Sequence, residues 1–183
     1  MDPRLNIAIR AARKAGSVIS QYADHIDSLK ITEKSRNDFV SEVDCAAEKE
    51  IISILKRSYP DHAILAEESG EKPGNENVWI IDPLDGTTNF VHGYPAFSVS
   101  IGVLIQGIPT IGIVAEMPNI KLYTAIKGQG AFMEGKPISV SRTKRLIDSL
   151  LVTGFGYEHG ESWHKNMALF KSFTDKTQGV RRL

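Results

Sequence analysis

The chain has little of what marks secreted or membrane-spanning proteins. Its 183 residues include a single cysteine, Cys45, which excludes an internal disulfide framework and favours a reducing compartment. No apolar run approaches the roughly 20 residues that a membrane helix needs, and no amino-terminal signal segment is evident. We therefore expect a cytoplasmic protein without a membrane partner.

The chain also has no net charge. The 22 acidic and 22 basic residues cancel, which argues against a general nucleic-acid binder and against a polybasic membrane surface. Internal repeats and low-complexity tracts do not occur. A hydrophobic content of 42% is enough for a sizeable core in one or two domains.

The most informative stretch is an apolar run, residues 78–81, that leads into two carboxylates three residues apart, Asp82 and Asp85. The run predicts a buried strand, and Pro83 with Gly86 predicts an immediate turn, so that both carboxylates face one point. Oxygen ligands of this kind suit Mg²⁺ or Mn²⁺. The stretch also fits an ordinary turn in which aspartates accept backbone hydrogen bonds, and these residues alone leave both interpretations open.

A second acidic stretch favours the metal site. Glu67 and Glu68 follow another apolar run, residues 63–66, and thus also stand at a strand end, which is where open sheets bind ligands. Gly86 and Thr87 predict the start of a helix whose free N–H groups favour a phosphate oxygen. We therefore expect the metal and phosphate sites to be neighbours.

The rest of the chain predicts two helices, a set of antiparallel strands and a second αβ unit. The helices are expected at about residues 2–22 and 41–59, and residues 97–133 show the alternation of successive strands. A following polar stretch predicts a boundary. It divides the chain into an α+β metal-binding domain at 1–143 and the start of an αβ domain at 144–183.

These motifs resemble those of the inositol monophosphatase family, the Mg²⁺-dependent and lithium-sensitive sugar phosphatases. The resemblance rests on the GEES-like stretch around Glu67 and on the pattern WxIDPxDGTxNF at residues 79–90, and it extends to residues 37–44 and 153–155. It covers essentially the whole chain. It implies an α+β fold, a layered αβαβα sandwich whose amino-terminal antiparallel sheet carries two helices.

The resemblance also implies which residues form the site. It implies up to three Mg²⁺ ions, with Mn²⁺ as an alternative, held by Glu67, Asp82, Asp85 and the main-chain carbonyl of Leu84. The residues implied as catalytic are Asp44, Thr87 and Glu67. Asp44 and Thr87 would orient the attacking water, and Glu67 would help to place a third ion through water. Substrate contacts are implied for Leu84, Asp85, Gly86, Thr87 and Arg181. Lys34 is expected on a loop that closes over the third ion.

The activity that this resemblance implies is hydrolysis of inositol monophosphate to inositol and phosphate by metal-activated water. Fructose 1,6-bisphosphate and a nucleotide bisphosphate are alternative substrates, because the metal motifs are shared across the wider group. A different alternative is a transcription antitermination cofactor that binds RNA polymerase or elongation factors. Family members are commonly homodimers, so we expect a homodimer that acts on a small phosphorylated polyol.

One part of the family pattern does not occur in this chain. The family's second signature, a Trp-Asp pair followed by small residues and Gly, supplies a further metal-ligating aspartate, and the chain ends at Leu183 without it. We therefore expect a truncated product with an incomplete second αβ unit. Loss of one charged ligand is expected to weaken the second metal site and impair catalysis.

Several residues have a structural alternative. Asp44 also fits a capping box that opens at Ser41. Cys45 is expected to be a small buried helix residue rather than a nucleophile. His92 is expected to be a surface or capping residue, because hard metals prefer oxygen ligands. Glu68 is left open between a solvated neighbour of Glu67 and a group that orients a metal ligand.

Overall fold

The computed structural model describes residues 2–23, 31–35, 38–156 and 160–182, and the side chains of residues 31–41 lie outside the described part. Its elements in chain order are α1 (Pro3–Ala23), β1 (Ile31–Ser35), β2 (Asp38–Ser41), α2 (Glu42–Ser58), β3 (His62–Ala66), β4 (Gly70–Lys72), β5 (Asn75–Asp85), α3 (Thr87–Val91), β6 (Phe97–Ile105), β7 (Ile108–Met117), β8 (Lys121–Ile126), β9 (Gly130–Met133), β10 (Lys136–Ile138), a 3₁₀ turn (Leu146–Asp148), β11 (Leu150–Thr153), α4 (Glu161–Lys176) and β12 (Gly179–Arg182).

Two compact units divide the chain. Unit 1 comprises Met1–Lys34 and Phe39–Ile138, and unit 2 comprises Ser35–Asp38 and Ser139–Leu183. The sequence predicted a domain boundary at residue 143, and that boundary stays a prediction. No helix in the described part of the chain is long and apolar enough to cross a membrane.

An eight-stranded sheet is the frame of unit 1, in the order β10-β9-β8-β7-β6-β5-β3-β4. All neighbours in it are antiparallel except β3 and β5, which are parallel. The predicted α+β class with a mostly antiparallel sheet is thereby confirmed. The parallel pair matters for function, because it places the carboxyl ends of two strands side by side.

Helices α1 and α2 pack against each other and against one face of this sheet, α1 over β6 and β7 and α2 over β3 and β5. The apolar stripe that predicted α1 is buried, with Ala8, Ala12 and Ile19 fully enclosed. The Asp2 carboxylate accepts a hydrogen bond from the Arg4 backbone N–H at 2.9 Å and so caps the helix. The predicted limits of both helices agree with the observed ones to within one residue.

The two faces of the sheet differ. On the helix side, Trp79 and Ile101 belong to one continuous core with both helices. On the other side, Ile80 and Val114 are 38% and 40% exposed. Because side chains alternate along a strand, Ile80 and Asp82 share the open side.

Unit 2 is a smaller strand–helix–strand arrangement. Its strands β11 and β12 pair in parallel, and α4 connects them. Helix α4 has no buried residue, and Leu169 on it is 55% exposed. The αβ unit predicted for this part of the chain is observed as a parallel pair with a crossover helix.

Candidate metal and catalytic site

The first acidic stretch lies at the end of β5, where the strand carries an irregularity. Asp82 pairs with Ser100 of β6 and Asp85 pairs with Ser98, so β5 has one extra residue between them. Proline is compatible with such a bulge, because Pro83 has no N–H group and the bulged position does not require a hydrogen bond to β6. The expectation of an immediate turn, formed by Pro83 with Gly86, is therefore wrong at Pro83, because the strand continues through Asp85.

The turn comes at Gly86 instead. Its φ of 91° is in the left-handed region, and a Cβ there would lie 3.0 Å from the Ala96 carbonyl oxygen, so only glycine fits without strain. Helix α3 starts at Thr87, as predicted, but it has only five residues. Its macrodipole is correspondingly small, so its free N–H groups matter more for a phosphate oxygen than its dipole does.

The second acidic stretch lies at the end of β3, beside the first. Ala66 of β3 is in register with Ile81 of β5, and the Glu67 backbone N–H donates to the Ile81 carbonyl at 3.1 Å. Glu67 is the residue after the end of β3, and Asp82 is the next residue along the neighbouring strand β5, so the two lie side by side. The parallel pairing brings together two acidic residues that are 15 positions apart in the chain.

The pKa of Asp82 reflects both its burial and the carboxylates near it. Burial raises the pKa of Asp82 to about 8, with further increases from the Glu67 charge, a hydrogen bond with the Glu67 carboxyl and the Asp85 charge. The Leu84 backbone N–H, which donates to Asp82 Oδ1 at 3.2 Å, acts in the opposite direction. A pKa that high means that negative charge at this point is not neutralised by its surroundings.

The donor set is made of oxygen and suits a hard cation such as Mg²⁺. Within the described part of the chain, however, no three acidic, histidine or cysteine side chains stand in the arrangement of a complete metal shell. Glu67 and Asp82 are in hydrogen-bonding contact, and Asp85 is close enough for its charge to act on Asp82. A cation here would thus need further oxygens, from the Leu84 carbonyl and from water, which Mg²⁺ usually keeps.

Asp44 and Thr87 form the predicted pair. The Thr87 hydroxyl is 2.8 Å from Asp44 Oδ1 and 3.0 Å from the Leu84 carbonyl oxygen, and it has one proton to donate to either acceptor. Asp44 is only 1% exposed. It lies in the first turn of α2, so the helix carries a buried carboxylate to the turn after β5. The Ser41 side chain of the alternative capping box lies outside the described residues.

Sequence reasoning missed Glu48, which is 3% exposed and contacts the turn after β3. A signal for it existed. Asp44 and Glu48 are four residues apart on α2, on the side of the helix that also carries the buried Ile51 and Leu55. A charged residue at an apolar position of a helical stripe indicates a buried partner.

The remaining candidates have varied positions. Cys45 is exposed, so the expectation that it is buried is wrong; Val43 and Asp44 take the inward side of that turn instead. His92 is exposed and is the C-cap residue of α3, as expected. Arg181 lies on β12 of unit 2, and its role stays a prediction. The Lys34 side chain lies outside the described residues.

Comparisons with known proteins agree on one family. A model of the inositol monophosphatase family matches residues 1–183. The protein called Nus factor SuhB of Pasteurella multocida is 42% identical over 185 residues, covering 100% of this chain and 69% of its own length. Phosphatase IMPL1, chloroplastic, of Arabidopsis thaliana is 42% identical over 187 residues, covering 98% of this chain and 50% of its own length.

Solved structures give the same result. The extragenic suppressor protein SuhB of Bartonella henselae superposes with a TM-score of 0.93 at 35% identity, over 97% of this chain and 69% of that one. The inositol monophosphatase of Anabaena superposes with a TM-score of 0.83 at 43% identity, over 97% and 65%. The fold and the acidic strand ends define an α+β protein of the sugar-phosphatase type. The chain belongs to the inositol monophosphatase family.

Proposed function

We propose that this protein is a Mg²⁺-dependent phosphatase that hydrolyses inositol monophosphate to inositol and phosphate. The observation that supports it most directly is the grouping of Glu67, Asp82 and Asp85 beside the Asp44–Thr87 hydrogen bond. Hydrolysis of a phosphate monoester needs an oriented water and positive charge on the phosphoryl oxygens, and these two groups suit those tasks.

The carboxylates are the residues that would hold the metal. Glu67, Asp82 and the Leu84 carbonyl would hold one ion, and Asp82 with Asp85 a second. When bound, Mg²⁺ would neutralise charge on the phosphoryl group and make water more acidic. Burial first, and then the nearby carboxylates, raise the pKa of Asp82, and this supports the assignment because a divalent cation would stabilise the ionised form.

Asp44 and Thr87 would handle the proton of the attacking water. When the Thr87 hydroxyl donates to Asp44, its oxygen lone pairs are free to accept a hydrogen bond from water. As the water attacks phosphorus, its proton would pass to Thr87 Oγ1 while the threonine proton passes to Asp44. The phosphorus–oxygen bond to inositol would break, and the leaving inositol oxygen would take a proton from solvent water. Asp44 is buried and accepts the Thr87 hydroxyl hydrogen bond at 2.8 Å, so this acceptor is held at the site.

Substrate binding is proposed for the turn after β5. The backbone N–H groups of Gly86 and Thr87 at the start of α3 would contact phosphate oxygens, beside Leu84 and Asp85. Arg181 is the further candidate for a substrate contact. A homodimer is proposed as well, on the family relationship alone.

Phosphate release tests this function. The purified protein should release phosphate from inositol monophosphate only when Mg²⁺ is added, and Asp44→Asn should abolish release. Fructose 1,6-bisphosphate and a nucleoside 3′,5′-bisphosphate should be hydrolysed much more slowly. Equal turnover of all three compounds would contradict the substrate assignment, and release by Asp44→Asn at the wild-type rate would contradict the mechanism.

A second candidate function follows from the name that several relatives carry. Three bacterial proteins that are 40–42% identical to this chain are called Nus factor SuhB. The alternative is therefore a transcription antitermination cofactor that binds RNA polymerase or an elongation factor. Asp82→Asn separates the two functions, because it should abolish phosphate release and leave such binding intact.

A further inference from the structure

Helix α2 carries two buried charged side chains, and the proposed chemistry uses only one of them. Asp44 and Glu48 are the only buried polar or charged side chains among the residues with a described side chain, at 1% and 3% exposure. They are four residues apart and therefore lie on the same side of the helix. Burying a carboxylate is costly unless charge-assisted hydrogen bonds compensate for the lost water.

Glu48 makes two such bonds, both to the hairpin loop that carries Glu67. Its Oε2 accepts the Glu68 backbone N–H at 2.7 Å, and its Oε1 accepts the Ser69 backbone N–H at 3.0 Å. Ala66 and Gly70 are the last paired residues of β3 and β4, so these two N–H groups lie beyond the antiparallel ladder. Each oxygen of one carboxylate thus holds one amide of the loop.

Three consecutive amides are held in this way. The Glu67 N–H donates to the Ile81 carbonyl at 3.1 Å, and the next two donate to Glu48. Ile81 immediately precedes Asp82. The backbone on both sides of the Glu67 side chain is therefore fixed, once to the strand that carries Asp82 and once to helix α2.

We propose that Glu48 is a positioning residue, which directs the Glu67 carboxylate toward Asp82 by holding the Glu67–Ser69 loop through two backbone amides. This inference rests on the proposed function, in which Glu67 is a metal ligand. Helix α2 then supports both halves of the site. Asp44 holds the turn after β5 through the Thr87 hydroxyl, and Glu48 holds the turn after β3 through the main chain.

The test compares Glu48→Gln with Glu50→Gln. Glutamine keeps the shape of Glu48 but has one oxygen acceptor and brings an NH₂ group against an N–H, so one bond is lost. Glu50 is on the same helix, and its side chain makes no hydrogen bond that the described residues show. Glu50→Gln is therefore the matched control: it makes the same Glu-to-Gln change on the same helix but does not affect the Glu67–Ser69 loop.

Three quantities are measured: amide hydrogen exchange with and without Mg²⁺, the affinity for Mg²⁺, and turnover. In Glu48→Gln, amide hydrogen exchange at Glu68 and Ser69 should accelerate about 10- to 100-fold, while exchange at Ile113 in the core stays unchanged. Mg²⁺ binding measured by calorimetry should weaken about 10- to 100-fold, as for other groups that orient metal ligands. The turnover at saturating Mg²⁺ should change far less. Glu50→Gln should match wild type in each measurement.

The wild-type protein gives an independent check if Glu48→Gln does not fold. Because binding and loop opening are linked, Mg²⁺ should slow exchange at Glu68 and Ser69 in wild type. Mg²⁺ binding that leaves this exchange unchanged, or equal Mg²⁺ affinity in Glu48→Gln and wild type, overturns the positioning role alone. Failure of wild type to bind Mg²⁺ at all overturns the proposed function and this inference with it.

Discussion

The parallel strands β3 and β5 are very different at their two ends. At the carboxyl ends, Glu67 and Asp82 crowd like charges together. Near the amino ends, the Trp79 indole N–H donates to His62 Nδ1 at 3.0 Å, and Tyr59 stacks on His62 with ring centroids 4.7 Å apart. Helix α2 runs past both ends, with Asp44 and Glu48 at one and Lys56 at the other.

The amino ends of these strands stabilise the fold, whereas their carboxyl ends are available for chemistry. At the amino ends, polar groups are paired: Lys56 Nζ donates to the Pro60 and His62 carbonyls at 3.0 and 2.7 Å. At the carboxyl ends, the pKa of Asp82 is raised by burial and like charge. Perturbed groups of this kind are concentrated at functional sites, where stability is lost in exchange for reactivity. Variants at the two ends should therefore separate activity from stability.

Asp82→Asn is expected to have the largest effect, a loss of activity together with a gain in stability of the metal-free protein. Phosphate release should fall about a thousandfold, because a bound metal contributes several kcal/mol to the transition state. The stability of the metal-free protein should rise. In wild type, the carboxyl has a pKa of about 8 when folded and about 3.8 when unfolded, so ionisation costs stability as pH rises between these values. Asparagine has no such cost.

Thermal unfolding without metal at pH 9 and phosphate release with Mg²⁺ check both halves of this prediction. Asp61→Asn makes the same change near the amino ends and should leave activity unaltered. A metal-free Asp82→Asn protein that unfolds at a lower temperature than wild type would contradict the unfavourable ionisation of Asp82 in the folded protein.

Gly74→Ala is expected to act on stability at the opposite end. A Cβ at this position would lie 2.3 Å from the Ala63 backbone nitrogen and 2.4 Å from the His62 carbonyl carbon, so backbone must move. Such overpacking costs about 1–3 kcal/mol of unfolding free energy. Urea unfolding measures it, and activity of the folded fraction should be retained. Gly112→Ala, where a Cβ meets open space, is the control, and an equal loss there would refute the explanation.

Gly86→Ala should have a somewhat smaller cost in stability but should also affect activity. An L-residue in the left-handed region at φ 91° costs about 1–2 kcal/mol. The close Ala96 carbonyl adds strain, which should shift Thr87 away from Asp44 and slow phosphate release. Gly70→Ala is the control, because Gly70 also has a positive φ, 70°, but a Cβ there would have nothing within 4 Å. The difference between the two variants in urea unfolding and turnover isolates the contact, and identical behaviour would exclude it.

His62 is expected to give the smallest effect, a pH dependence of stability. Burial, followed by the charges of Arg4 and Lys56, lowers the pKa of His62 below its usual 6.5, whereas Asp61 acts in the opposite direction. Above pH 6.5 the ring is neutral in both states. As pH falls below 6.5 the unfolded chain takes up the proton first, so stability declines. Protonated Nδ1 could not accept the Trp79 hydrogen bond.

The pH dependence is measured as unfolding free energy between pH 7.5 and pH 5 for wild type and His62→Gln. Glutamine can accept the indole N–H but does not titrate in this range. The decline should be less steep in the variant. Parallel curves for the two proteins would mean that His62 contributes nothing to the decline.

Much of the fold was predictable because its patterns are local. The apolar stripe of α1 and the alternation in β6 and β7 depend on neighbours within a few positions, and both agree with the structure. The acidic strand ends were predictable for the same reason. The bulge at Pro83 was not, because a bulge is defined by the register of β5 against β6.

Short stretches of sequence determined the motif around Asp82 and Asp85, the glycine that follows it and the helices that flank it. Steric and hydrophobic preferences act directly between residues that are close in the chain. Tertiary structure alone decided that β3 lies parallel to β5, which brings Glu67 to Asp82. It also decided that Glu48 meets the amides of Glu68 and Ser69, 20 and 21 residues away. Such contacts depend on how whole elements pack, and no local pattern encodes which buried carboxylate will meet which loop.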